Sequence, residues 1–307
     1  MTQIRRRLIL TGLASAGLCS LAQAQVVDLA AETAPPIRGE RDEAAIALLK
    51  DVRLLKDDTL TVAINVGRLP LAGFAADGRT PVGSEPGIAQ LLADGFGRKL
   101  EIVPVAWADW PLGLASGKYD AVISNVTVTE ARKEKFDFST YRKDQLGAYV
   151  KTTGPITAIK GPEDIAGLRI IVGAGTNQEQ ILLRWNQQNA AKGLKPAELQ
   201  YYDDDAVRAL AIQSGRADVY FGPNAIAAYE ARRDGKTRLV GSFSGGWPVT
   251  AEIAVATRKG SGLAEAATKA LNTQIAHGAY AKVLARWSLS EEAIEQSRTN
   301  PPGLPKS

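Results

Sequence analysis

Two stretches far apart in the chain, SGKYDAVIS (Ser116–Ser124) and SGRADVYFG (Ser214–Gly222), share one pattern: Ser-Gly-basic-x-Asp leads into an apolar run. A glycine that closes a helix just before a strand is the join of an α/β unit. A second pair also matches. TVTEAR and GTNQEQ each set hydroxyls at a helix start with Glu three residues after Thr, so Thr127 with Glu130 and Thr176 with Glu179 have capping-box spacing. The two echoes predict two lobes built on similar plans. The plainer alternative is that helix-glycine-strand joins recur throughout α/β proteins.

Between these marks, β-rich runs alternate with helical patterns. LTVAINV, EIVPVAW and YDAVISNV read as strands, separated by PGIAQLLADGFGRKL and WPLGLASG as helices. LGAYVKTT opens a second set, with strands in GLRIIVG, LQYY and AEIAVATRKG. Helices fall in TNQEQILLRWNQQNAAKG, AVRALAIQSG, AIAAYEARRDG and a long closing region, LAEAATKALNTQIAHGAYAKVLARW. The organisation expected is 59–143 plus 251–288 for lobe 1 and 144–250 for lobe 2. A leader over 25–58 carries helical periodicity in RDEAAIALLKDVRLLKDD and is expected to hold a short helix; a tail covers 289–307, and its TNPPGLPKS end is expected to be disordered.

The first residues carry a separate signal. A head with Arg5, Arg6 and Arg7, an apolar stretch from Leu8 to Leu21 and the small-x-small end Ala22-Gln23-Ala24 read as an export signal over 1–24. The arginine run partly resembles a twin-arginine signal, without the usual hydroxyl before it, so the general secretory route stays open. The apolar stretch is too short for a membrane anchor. Cleavage after Ala24 removes three of the positive charges behind the formal +4, together with Cys19, the single cysteine. What remains offers no basic field for nucleic acid or lipid, and no disulfide or cysteine metal site. Gly-x-Gly in VGAGTNQEQ has neither the full dinucleotide fingerprint nor a Walker lysine. No nucleophile elbow or metal set stands out, and His277 lies in a helical pattern without a partner cluster. No catalytic residue, metal or cofactor is therefore assigned.

The anion chemistry concentrates in SNVTVTEARKEKFDFS (Ser124–Ser139), a strand ending in hydroxyls with Arg132 a short step beyond. Strand ends followed by helix N-termini form the ligand edge of an open α/β sheet, and an arginine there can grip a carboxylate through two bonds. The residues alone leave two uses open for Arg132: that grip, or a surface pair with Glu134 or Asp137. For Thr127 a helix cap is the commoner use of a threonine at such a spot. Trp107, Trp110 and Trp247 are candidates for stacking on a ligand, or for plain core and rim packing.

From about Thr59 to Trp287 the chain resembles the bacterial periplasmic solute-binding proteins of amino-acid ABC transporters, the family 3 extracellular solute-binding proteins. The run LASGKYDAVISNVTVTEARKEKFDFSTYR carries the resemblance, with VGAGTNQEQ, SGRADVYFGP and the IAVATRKGSGLAEA…HGAYAKVLARW stretch following in order. The resemblance implies a type II two-lobed α/β fold, each lobe a mixed, mainly parallel sheet flanked by helices, joined by two hinge strands. It implies a monomer in the periplasm that clamps a small carboxylate-bearing solute, an amino acid or a derivative, and passes it to an inner-membrane ABC permease. Asn125 then offers a backbone contact to a ligand ammonium, Thr127 contacts the carboxylate and Arg132 forms its salt bridge. Thr176, Asn177 and Gln178 close from the second lobe. Where the family carries an acid for the ammonium, this chain reads Pro223-Asn224, and Asn224 brings no charge. The aromatic usual near Leu71 is missing, with Phe74 as the candidate substitute, and EPGIAQ lacks the aspartate usual at the head of the first helix. Asp203 to Asp205 offer charge nearby. Two other readings share the scaffold: an exported enzyme resembling cyclohexadienyl dehydratases, with Glu179 or Glu252 as the acid, or a sensor without a transporter.

Overall fold

A computed structural model describes residues 29–202 and 204–306; the expected export signal lies outside them. The chain enters through a short helix, α1 (Glu43–Leu48), capped by the Asp42 carboxylate. It then forms β1 (Thr59–Ile64), the hairpin β2 (Gly73–Phe74) and β3 (Pro81–Val82), α2 (Ser84–Gly95), β4 (Lys99–Pro104), α3 (Trp110–Ala115) and β5 (Ala121–Thr127). One turn of helix, α4 (Glu130–Lys133), leads to β6 (Phe136–Lys143). The chain crosses into β7 (Gln145–Lys151), β8 (Arg169–Ile171), α5 (Asn177–Ala191), β9 (Glu198–Gln200), α6 (Asp205–Gln213), β10 (Val219–Pro223), α7 (Asn224–Asp234) and β11 (Thr237–Ser244). It returns through β12 (Glu252–Arg258) to α8 (Leu263–Ala276) and α9 (Ala279–Arg286).

Two five-stranded sheets result, ordered β4-β1-β5-β12-β6 and β11-β7-β10-β8-β9. In each, parallel strands adjoin antiparallel ones supplied by the crossings: β12 runs against β5 and β6, and β7 runs against β10 and β11. Each sheet packs its own core. Every residue of β1 is buried, as expected for a strand covered on both faces. In the second lobe Trp185 stands among Phe221, Phe243 and Trp247, with ring centroids 5.1 to 5.8 Å away. Aromatics packed this way contribute about 0.5–1.5 kcal/mol per pair beyond their burial.

The sequence echo has a structural meaning. Gly117 and Gly215 both take φ near +75°, at 76° and 74°. The Asp that follows does one job twice. The Asp120 carboxylate accepts the Thr61 N–H at 2.9 Å while its own N–H donates to the Thr61 carbonyl. Asp218 does the same with Arg169, at 2.8 Å. Each Asp thus pins the start of one parallel strand to its neighbour.

Three expectations change. Thr129, not Thr127, caps α4, accepting the Arg132 N–H at 3.1 Å, which leaves the Thr127 hydroxyl to turn elsewhere. The leader holds the short helix α1, after which the Leu55 N–H bonds Asp120 and the chain extends into β1. The leader packs on the body through Arg38 to Asp94 and Glu40 to Gln274. The tail is not loose: it pairs with β6 and with the segment after β5, where its prolines cost nothing because the neighbouring N–H and C=O groups carry the bonds. The closing helical region breaks at exposed His277 and Gly278 into α8 and α9.

Candidate functional site

The lobes meet where β5 ends, where α5 begins and where both crossings pass. Asp144 lies between β6 and β7; its N–H donates to the Ala251 carbonyl and its carbonyl accepts the Gly245 N–H at 2.8 Å. The two crossings are therefore laced together at this residue. The approach requires glycine: a Cβ on Gly245 would stand 2.1 Å from the Asp144 carboxyl carbon.

The buried Asp144 carboxylate gathers the seam around it. Its Oδ2 accepts the Thr127 hydroxyl at 2.8 Å and the Asn177 amide N–H at 3.0 Å. Asn177 also donates to the Gly245 carbonyl at 2.5 Å, and its Oδ1 lies 3.0 Å from the Thr127 hydroxyl. A hydroxyl has one proton, and the anionic oxygen is the stronger acceptor, so Thr127 donates to Asp144. Burial pushes the Asp144 carboxyl above its ordinary value; the Thr127 bond, Arg142, Asn177 and Arg132 pull it back.

Arg132 stands beside this group. One guanidinium nitrogen donates to the Thr127 carbonyl at 2.9 Å and the other lies 3.4 Å from the Gly175 carbonyl across the seam. Its charge rests over Trp107 and Trp110, at 5.5 and 5.9 Å from the ring centroids. Loss of solvent pushes its pKa down to about 10, with Asp144 opposing. No ion pair among the described residues includes it. The surface pairing open in the sequence does not occur: Glu134 pairs with Lys306 and Asp137 with Lys259. An arginine held in place by neutral carbonyls and rings keeps charge to offer an anion.

Asn125 sits within β5 at φ +52°, a left-handed conformation that asparagine tolerates better than most residues. Buried ionic groups hold it there. Arg142 donates to its side-chain oxygen, and its backbone N–H reaches the Glu85 carboxylate. Arg142 also pairs with Glu292, and Tyr141 donates its hydroxyl to Glu85. Burial raises both the Glu85 and Glu292 carboxyls, against the pull of Arg142. The head of α2 thus carries a buried glutamate, Glu85, where aspartate was missed.

Thr127, Arg132 and Asn177 come together directly. Thr176 caps α5 by accepting the Glu179 N–H at 3.2 Å, and Gln178 is buried in the same turn. Asn224 begins α7 but its oxygen accepts the Tyr149 hydroxyl at 2.9 Å, inside the second lobe. Phe74 lies on the β2–β3 hairpin, 43% exposed, outside this bonded group. Trp247 is committed to the second core. Glu179 accepts the Gly175 N–H at 2.7 Å, and Glu252 pairs with Arg298 at 2.6 Å, so both candidate acids hold structure. Asp203 lies outside the described residues; Asp204 caps α6, and Asp205 meets Arg68 of the first lobe at 3.4 Å. Among the described residues no group of three or more His, Cys, Asp or Glu side chains could hold a metal. Sequence reasoning missed Asp144 and Arg142. Their signal was a charged Arg-Lys-Asp step between two apolar strands, at the crossing of the lobes.

The chain is 33% identical over 221 residues to the L-cystine-binding protein TcyJ of Escherichia coli strain K12, covering 71% of this chain and 76% of that one. Among solved structures it resembles an ancestral arginine-binding protein bound to arginine, with a TM-score of 0.64, 28% identity, and coverage of 75% and 98%. An ancestral amino acid-binding protein described as a precursor of cyclohexadienyl dehydratase matches with a TM-score of 0.64, 27% identity, and coverage of 75% and 95%. The family model for bacterial extracellular solute-binding proteins, family 3, matches residues 60–290. Two laced lobes, a strand that ends in Thr127 with Arg132 on the helical turn after it, and these matches agree: the chain belongs to the family 3 bacterial extracellular solute-binding proteins.

Proposed function

We propose that the chain is the periplasmic solute-binding component of an ABC transporter, clamping an amino acid or a related carboxylate-bearing solute between its lobes for delivery to a membrane permease. The observation that carries this reading is Arg132: a half-buried guanidinium at the seam, aimed by carbonyls and tryptophan rings, near the Asp144 charge but in no direct ion pair among the described residues. A charge-assisted bond is worth about 1.5–3 kcal/mol, and a bidentate arginine makes two. Thr127 and Asn177 are the hydroxyl and amide that exchange bonds with Asp144 for bonds with the solute when it enters. Asn125 supplies backbone polarity, and Thr176 and Gln178 bring α5 over it. Asn224 and Phe74 bound the pocket more distantly.

The relatives bind cystine and arginine, both α-amino acids, which supports an ammonium-bearing ligand here. In this chain Asp144, not a residue at Pro223-Asn224, is the anion placed at the seam. The proposed unit of action is a monomer that acts after export. Mass spectrometry of solute released from freshly purified protein, followed by a thermal-shift panel of L-cystine, L-arginine and simple dicarboxylates, tests the reading. A released amino acid and a matching rise in melting temperature are expected. A released solute without a carboxylate would overturn it.

A further inference from the structure

The end of the chain runs along the first lobe and stops beside the arginine. Thr299 bridges to Ser139 on β6, and Asn300 bonds Phe138 twice, N–H to carbonyl and side-chain oxygen to N–H, both at 2.9 Å. The chain then turns and lies parallel to the segment after β5. Leu304 N–H donates to the Val128 carbonyl at 3.0 Å, and its carbonyl accepts the Glu130 N–H at 2.9 Å. The Glu130 N–H is a first-turn donor of α4, which has no partner inside so short a helix. The Glu130 carboxylate accepts the Gly303 N–H at 2.7 Å, and Lys133 donates to the Pro301 carbonyl at 3.0 Å. Both sides of Arg132 are therefore held by the tail. The fit is close: a Cβ on Gly303 would stand 2.7 Å from the Thr129 carbonyl carbon.

The same residue reaches the other way. A Cβ on Gly246 would stand 2.2 Å from a Leu304 methyl, so the leucine packs against the second crossing at this glycine. The next residue there, Trp247, is set edge-on against Trp185 in the core of the second lobe.

We propose that residues 299–306 act as a splint that aims Arg132 and links that aim to the position of the second crossing, making the tail a positioning element of the ligand site. It acts through α4, not by contact with the solute. The inference rests on Arg132 being the carboxylate grip. Thr299 and Asn300 fasten the strap to β6, as a purely stabilising strap would, but the bonds of Pro301, Gly303 and Leu304 fall on the turn that carries Arg132.

Hydrogen exchange read by mass spectrometry, on the full chain and on a variant ending at Pro301, tests this without any ligand. Exchange in residues 128–133 is expected to speed up by about tenfold or more on loss of the tail bonds, while 137–143 stays protected. Calorimetry with L-cystine and L-arginine is expected to show about tenfold weaker binding of whichever wild-type protein takes. Gly303→Val, which forces the tail away, should match the truncation, and it decides the matter if the truncated chain unfolds. Leu304→Ala keeps the backbone bonds and should speed exchange only in 245–249. Unchanged exchange at 128–133 in the truncated chain and in Gly303→Val overturns the splint. Faster exchange with unchanged affinity overturns its role in aiming Arg132. If wild-type protein binds neither amino acid, the solute reading is decided by the released solute and the exchange result alone decides the splint.

Discussion

Asn177→Ala probes the seam most sharply. Asn177 starts α5 in the second lobe and donates to buried Asp144 at 3.0 Å. Asp144 sits on the crossing and holds first-lobe Thr127 at 2.8 Å, so its bond to Asn177 ties the start of α5 toward the first lobe, and opening the cleft loosens that tie along with the Thr127 contact. The Thr127 proton already belongs to Asp144, so the bond that favours closure is the charge-assisted one to the carboxylate. Such a bond contributes about 1.5–3 kcal/mol. Its loss should shift the balance of closed and open forms by about 10- to 150-fold toward open, at 1.4 kcal/mol per tenfold. Neither hydrophobic core includes Asn177. Small-angle X-ray scattering of the ligand-free protein should therefore show a larger radius of gyration in the variant, with near-UV circular dichroism of the aromatic cores retained. A scattering curve that overlays wild type would refute the reasoning that Asn177 holds the lobes together.

Asp144 should reveal itself through pH. Burial raises its carboxyl above the ordinary 3.8, so the folded protein holds a proton that the unfolded chain releases, and stability falls as pH rises through the folded value. Asp144→Asn removes that loss: its unfolding free energy relative to wild type should be higher at pH 8 than at pH 4 in urea titrations, and a difference that shrinks with rising pH would contradict the assignment. Arg142→Met leaves Glu85 and Glu292 buried without their cation, and about 3–5 kcal/mol should be lost from the urea-derived stability. A loss below about 1 kcal/mol would show that the ionic group is not what holds Asn125 in β5.

Much of the architecture was legible because it repeats local chemistry. The Ser-Gly-basic-x-Asp echo marked β5 and β10, since each needs the same glycine turn and the same Asp clasp. Thr176 was readable as a cap for the same local reason. Thr127 was misread because two threonines stand two residues apart, and only the fold decides which faces the helix. Asp144 and Arg142 drew no notice because their partners, Asn177, Glu85 and Glu292, are distant in sequence, and burial of a charge is a property of the packed lobes. The tail was misjudged on composition: Pro and Gly do prevent a helix, but an extended segment needs only a free edge, and β6 supplies one.

The central claim is that Arg132 grips the carboxylate of the transported solute. Isothermal titration of wild type and Arg132→Ala, with the solute identified from the purified protein, measures it directly. Loss of two charge-assisted bonds should weaken binding by about 100-fold or more, with the melting temperature of the ligand-free protein little changed. Equal affinity in the two proteins would contradict the account.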